Sequence, residues 1–379
     1  MTRLTTLLVF SLLLACAEDA RQWDESLETE PDFPVDYESW LVQRDGHIAR
    51  EWHDHSRDEQ LTFPERITDS GYDEAVVDFK PTYSPDGRHI AFFRRTTDGG
   101  GPQLLWKSMV MVMDADGSNL RQLTSGDYME ANPMWTRTRY PSQSGQEGYR
   151  ITWTRMIPSP VIPQDNGAFP ETMQVYWTDI DAEPGDERVI SNLAMDPFQF
   201  GYSSLRDGRM LVRLEGLHQL ALMQPSEVSP LLSVYQPIVN LGALLPTRTL
   251  LHKITISPDE TKISYMKVEE ANLLTNTGWD AYWNSILAYA DFDAVAGTIS
   301  NEVVIADYNP DNIVWYTSWS PNNEQLIFVC GGDCPDGHTG GPFSSGQVYE
   351  YDVKSGGVRN ISGQRDSFYR YPDIWGTVK

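Results

Sequence analysis

The cluster Ser84-Pro85-Asp86-Gly87, with its two partial echoes, constrains this chain more than any other feature of the sequence. It stands in YSPDGRHIAFFRR at 83–95, and the echoes are ISPDETKISYMKV from 256 and WSPNNEQLIFVCG from 319. Proline presets φ near about −65°, aspartate bonds the local backbone, and glycine accepts a positive φ, which together make a tight turn. Each cluster joins two runs rich in β-branched and aromatic residues. The spacing therefore predicts hairpins, and a hairpin made repeatedly is a unit of architecture before it is a reactive site.

The strands around the first cluster extend the unit. FKPTY and HIAFFR flank the turn, and MVMVM and LRQL follow, joined by DADGSN, so residues 79–126 read as a four-stranded meander. Asp114, Asp116 and Ser118 mimic the opening of a calcium loop. Asn119 replaces the glycine such a loop needs and Ser125 stands where its bidentate glutamate belongs, so the segment is read as a turn and no metal is expected.

SPDGRHIAF followed by VMDADGSNLRQLT resembles the repeat of TolB-type β-propellers. The resemblance implies an all-β fold, and units beginning near 79, 131, 199, 250 and 314 follow from it and from the strand register. SFYRYPDIWGTVK at 367–379 reads as a lone first strand, and residues 39–69 offer the other three of the same unit. The expectation is a six-bladed β-propeller of four-stranded antiparallel blades, the last blade closed by N- and C-terminal strands, occupying 39–379 as a single domain. Such closure removes sheet edges. A two-sheet sandwich would not repeat one turn at matching positions.

The N-terminus carries a different signal. MTRLTTLLVFSLLLA at 1–15 has one arginine and an apolar run from Leu7 to Leu14, shorter than the roughly twenty residues needed to span a bilayer. LLAC at 13–16 resembles the bacterial lipobox, which implies a lipidated Cys16 and an anchored, envelope-facing protein, outer membrane and periplasmic side. Residues 17–38 hold nine acids against Arg21 and read as a flexible tether behind that cysteine. In an exported chain the remaining pair, Cys330 and Cys334 in CGGDC, is read as a small disulfide. The formal charge of −25 becomes −26 once Arg3 leaves with the signal, and no basic stripe is present, which excludes nucleic acid and leaves the lipid anchor as the route to a membrane.

In a four-stranded blade the first-to-second and third-to-fourth turns share one face. The second-to-third loops share the other, and here they are long: 94–103, 158–171, 269–285 and 331–346. Loops of that length on one face suggest a binding surface. Its candidate residues are Asp165, Asn166, Trp279, Asp280, Tyr282, Trp283, Asp336 and His338; clustered aromatics beside a carboxylate suit stacking on a sugar ring or anchoring a protein, and equally suit packing of the loop on its own blade. His53 and His55 share one side of an outer strand, while His252 and His338 lack defined partners. No cofactor motif is present, and neither GYSS nor PFSSG has nucleophile-elbow spacing. The expected function is a scaffold that binds an envelope protein or carbohydrate ligand through the long-loop face. The alternative is a carbohydrate-active hydrolase or lyase with its site at the channel mouth.

Overall fold

The computed structural model describes residues 37–44, 47–54, 65–68, 76–96, 108–142, 145–157, 172–193, 203–214, 219–238, 249–269, 286–306, 313–331, 347–362 and 369–375. Strands β1 (Tyr37–Arg44), β2 (His47–Asp54) and β3 (Glu65–Arg66) come first, then β4 (Val76–Tyr83), β5 (His89–Thr96), β6 (Ser108–Asp114) and β7 (Arg121–Gln122). The middle holds β8 (Met129–Pro141), β9 (Glu147–Ile157), β10 (Thr172–Asp179), β11 (Arg188–Val189), β12 (Ser203–Ser204), β13 (Met210–Leu214), β14 (Gln219–Gln224) and β15 (Val234–Pro237). Then follow β16 (Thr249–Ile256), β17 (Lys262–Glu269), β18 (Ile286–Asp293), β19 (Thr298–Ala306), β20 (Ile313–Trp319), β21 (Gln325–Gly331), β22 (Gln347–Asp352), β23 (Val358–Asn360) and β24 (Tyr369–Trp375).

All described pairings are antiparallel and run in ladders of four, as a β-propeller requires. The ladder β24-β1-β2-β3 joins the last strand to the first three. Inner strands β24, β4, β8, β12, β16 and β20 touch in that order and return to β24, so they form the hub.

The expectation of six blades is corrected to five: the strands are gathered into five sheets. Four contain one ladder each, whereas β11-β10-β9-β8 and β12-β13-β14-β15 belong to one continuous sheet. The cause lies in a mismatch of inner strands. β8 runs for 13 residues and β12 for only 2, so the far half of β8 is stitched directly across β12. Arg137 N donates to Ser204 Oγ at 3.3 Å, and its guanidinium passes on to the carbonyls of Ile256 and Ser257 at 2.7 and 2.8 Å.

Apolar side chains on both faces of the central strands fill the seams between neighbouring ladders. Trp153, Ile151 and Trp135 pack with Ala91 and Val110 in one seam, and Phe328, Tyr349 and Trp319 pack with Leu287 and Tyr289 in another. The inner strands bend where they crowd the hub. Register slips between Phe79 and Thr82, Ala131 and Met134, His252 and Thr255, and Trp315 and Thr317 mark bulges at matching places in β4, β8, β16 and β20. Lys80, Asn132 and Lys253 take the positive φ that three of these bulges demand.

Candidate binding face

The opening question of the sequence, turn or site, is answered by hydrogen bonds. Ser84 Oγ donates to Asp86 Oδ1 at 2.7 Å and accepts from His89 N at 3.0 Å, while Asp86 Oδ1 also accepts from Arg88 N. Ser257 and Asp259 repeat this bonding, and so do Ser320 and Asn322. The position held by Gly87 at φ 68° is occupied by Glu260 at 64° and Asn323 at 65°. The serine hydroxyl and the acid or amide oxygen of each motif are thus engaged within its own turn, as a structural turn requires. The calcium-like turn is likewise occupied: Ser118 bonds Asp116 at 2.6 Å and holds its carboxyl below the usual range, and Asn119 Nδ2 donates to Asp114 at 2.6 Å. Among the described residues no group of three potential ligands could hold a metal.

The opposite face is built differently. In the ladders from β4 to β19 each second strand carries, two or three residues before its loop, a basic residue tied to another strand. Arg94 grips the fully buried Asp78 of β4 through Nε at 2.7 Å and Nη2 at 2.9 Å. Arg155 of β9 bonds Glu130 of β8 at 2.7 Å and Glu187 at 2.7 Å. The buried Arg213 of β13 donates to the carbonyl of Leu251 in the next ladder at 3.2 Å. Lys267 of β17 meets Glu302 at 2.5 Å, and Glu302 also accepts from the Tyr265 hydroxyl. In β21 the same position is the fully buried Cys330. Neighbouring ladders are tied at the hub as well, where Lys80 Nζ donates to Asn132 Oδ1 at 3.1 Å.

Two of these tethers carry unusual electrostatics. Arg155 lies between the rings of Tyr128 and Tyr176, at 4.3 and 4.2 Å from their centres. Burial works against its charge, but Glu130 and Glu187 hold its pKa above the ordinary value. Burial pushes the Glu130 carboxyl up to about 7, against the opposing pull of Arg155. Both Arg155 contacts fall on Oε1, and Glu130 Oε2 has no hydrogen-bond partner; the Trp153 indole is near enough to resist the rise, yet its N–H makes no bond of good geometry. A carboxyl poised near neutrality is chemically able to exchange a proton, but Glu130 is fully buried, so it is not offered to a substrate.

The sequence-predicted candidates Asp165, Asn166, Trp279, Asp280, Tyr282, Trp283, Asp336 and His338 lie outside the described residues, as do Cys16 and Cys334. His53 and His252 stand on strands β2 and β16 with side chains outside the description. What sequence reasoning missed is the set of loop roots. Its signal was available: a basic residue at or near the end of HIAFFRR, RITWTR, MLVR and SYMK.

No family model matches the sequence, and no curated protein matches it. Among solved structures, TolB from Acinetobacter baumannii superposes with a TM-score of 0.53 at 12% identity, covering 92% of this chain and 69% of that one. Hydrazine synthase from Kuenenia stuttgartiensis superposes with a TM-score of 0.51 at 13% identity over 90% of this chain, which spans only 47% of that structure. These likenesses show a TolB-like propeller fold.

Proposed function

We propose that this chain is a lipid-anchored propeller of the bacterial envelope that binds a protein or carbohydrate partner through its long-loop face. Cys16 carries the lipid, residues 17–36 give the fold reach, and Cys334 closes a small loop with Cys330. The observation that carries the reading is the asymmetry of the two faces. Repeated turns on one face bond their serine and acid internally, while on the other, strand ends leading into loops are pinned by Arg94, Arg155, Arg213 and Lys267. Pinned roots lower the ordering cost of a loop that must present contacts, which is how preorganisation raises affinity.

The test compares the faces. Trp279→Ala with Trp283→Ala should weaken capture of the partner in an envelope pull-down by on the order of 2 kcal/mol. Asp86→Ala should leave capture intact and cost about 0.5–1 kcal/mol of stability through lost turn bonds. If Asp86→Ala abolishes capture in a protein that still melts cooperatively, and the double tryptophan variant does not, the faces have been assigned the wrong way round.

A further inference from the structure

Among the described residues, the turn face has one irregularity. Between β14 and β15 the chain does not make a tight turn but runs through Ser226-Glu-Val-Ser-Pro-Leu-Leu-Ser233, with a single 3-10 turn at Pro230–Leu232. The backbone is firmly held. Ser229 caps the turn by accepting from Leu231 N, Ser233 Oγ donates to the carbonyl of Ile190 at 2.7 Å, and Asn192 Nδ2 reaches the carbonyls of Leu231 and Ser233. The side chains so positioned are apolar and face water: Val228 is 86% exposed, Leu231 79%, Leu232 61% and Val234 64%. Val295, 87% exposed, sits in the third-to-fourth turn of the next ladder, whose Gly297 packs against Gln236 and Pro237 of β15. These are the five most exposed large apolar side chains among the described residues, and they share one sector of one face.

The point of chain entry lies on the same face. β1 is the second strand of its ladder, so it starts where first-to-second turns lie, and its first residue Tyr37 pairs with Asp54 at the far end of β2. The segment between Cys16 and Tyr37 is 20 residues long, a reach of at most about 70 Å. A lipid on Cys16 would therefore tether the chain from its turn face, with the bilayer within reach of that face.

We propose that Val228, Leu231, Leu232, Val234 and Val295 form a membrane-contact edge that inserts shallowly into a zwitterionic bilayer surface and fixes the long-loop face pointing away from it. The inference rests on the lipid-anchor reading, which brings the surface within reach and lets weak apolar contacts suffice. The net charge of −25 selects against anionic headgroups.

The test uses the full chain, produced and processed in a bacterial envelope, then reconstituted into phosphatidylcholine vesicles doped with a photoactivatable acyl lipid. Adducts are mapped by peptide mass spectrometry, and the same digest reports whether Cys16 is lipidated. Adducts are expected on the peptides holding 228–234 and 295, falling about tenfold in Leu231→Asp with Leu232→Asp, exposed changes that spare the fold. Absence of those adducts in protein that carries the Cys16 lipid overturns the edge while leaving the anchor in place. A bare Cys16 with adducts still at 228–234 removes the anchor and keeps the edge; a bare Cys16 without them removes both. If the aspartate variant instead converts a dimer to a monomer in detergent by analytical ultracentrifugation, and no adducts form, the occupant is a second copy and the bilayer proposal fails.

Discussion

Strand β9 carries two arginines in nearly identical boxes, and the contrast between them shows what burial alone can do. Arg150 and Arg155 stand five residues apart, an odd spacing that sends them to opposite faces of the sheet. Arg150 lies over Tyr140 and Trp177 at 4.5 and 4.3 Å and bonds Asp179 and Glu227 at 2.6 and 2.7 Å. Arg155 has two rings and two carboxylates at the same distances within a few tenths of an ångström. The chemistry matches; the solvent does not. Glu227 is half exposed and belongs to the neighbouring ladder, whereas Glu130 is fully buried in the same ladder as its arginine. The turn-side box is therefore a clasp that water can relax, and the loop-side box is a closed charge cluster whose weakest member is pushed toward protonation.

Breaking the closed box should have the largest effect. Arg155→Met keeps the volume but strands Glu130 and Glu187, and chemical denaturation near neutral pH should show a loss of about 3–5 kcal/mol. A loss no greater than that of an exposed pair would mean the two boxes are equivalent and the contrast is false. Adding Glu130→Gln should restore part of the loss, since it removes one stranded charge.

The next effect is a slope in pH. Glu130 has its folded pKa raised from 4.5 to about 7, so the stability it contributes is fully present below about 4.5 and is lost as pH rises through 7. Denaturation midpoints compared at mildly acidic and mildly alkaline pH should reveal on the order of 3 kcal/mol of this dependence, and Glu130→Gln should flatten it. A variant with an unchanged profile would place the titrating group elsewhere.

Opening the relaxed box should matter less. Arg150→Met should cost about 1–2 kcal/mol, because Glu227 regains water and only Asp179 stays confined. Smallest of all, Glu227→Gln should change stability by less than about 1 kcal/mol and should lose even that at high salt.

The hairpins at 84, 257 and 320 were legible in the sequence because turn chemistry is local: serine, aspartate or asparagine, and a residue tolerant of positive φ act within five positions of one another. The arginine boxes were not. Glu130 is 25 residues from Arg155 and Glu227 is 77 from Arg150, and strand alternation says which way a side chain points without saying what waits there. The sheet count failed for a related reason. Nothing in FGYSSLRDG announces that β12 is only Ser203 and Ser204, a brevity that lets Arg137 of β8 reach past it to Ile256 of β16. The loop-face candidates, from Asp165 to His338, rest on residue type and loop length, which say where contacts could be made but not with what.

The pairing of β24 with β1 has a consequence in time. As the polypeptide is made, β1, β2 and β3 emerge early, yet their ladder lacks its inner member until residues 369–375 arrive. At about 5–20 residues per second that interval lasts tens of seconds, during which the free edge of β1 is open to strangers. The chain thus cannot finish its hub piecemeal from the N-terminus, and folding that waits until both ends are present suits this topology better than folding that begins with the first strands. Moving the termini to the link between β3 and β4 by circular permutation would let that ladder form from contiguous chain and should hasten folding by lowering its contact order.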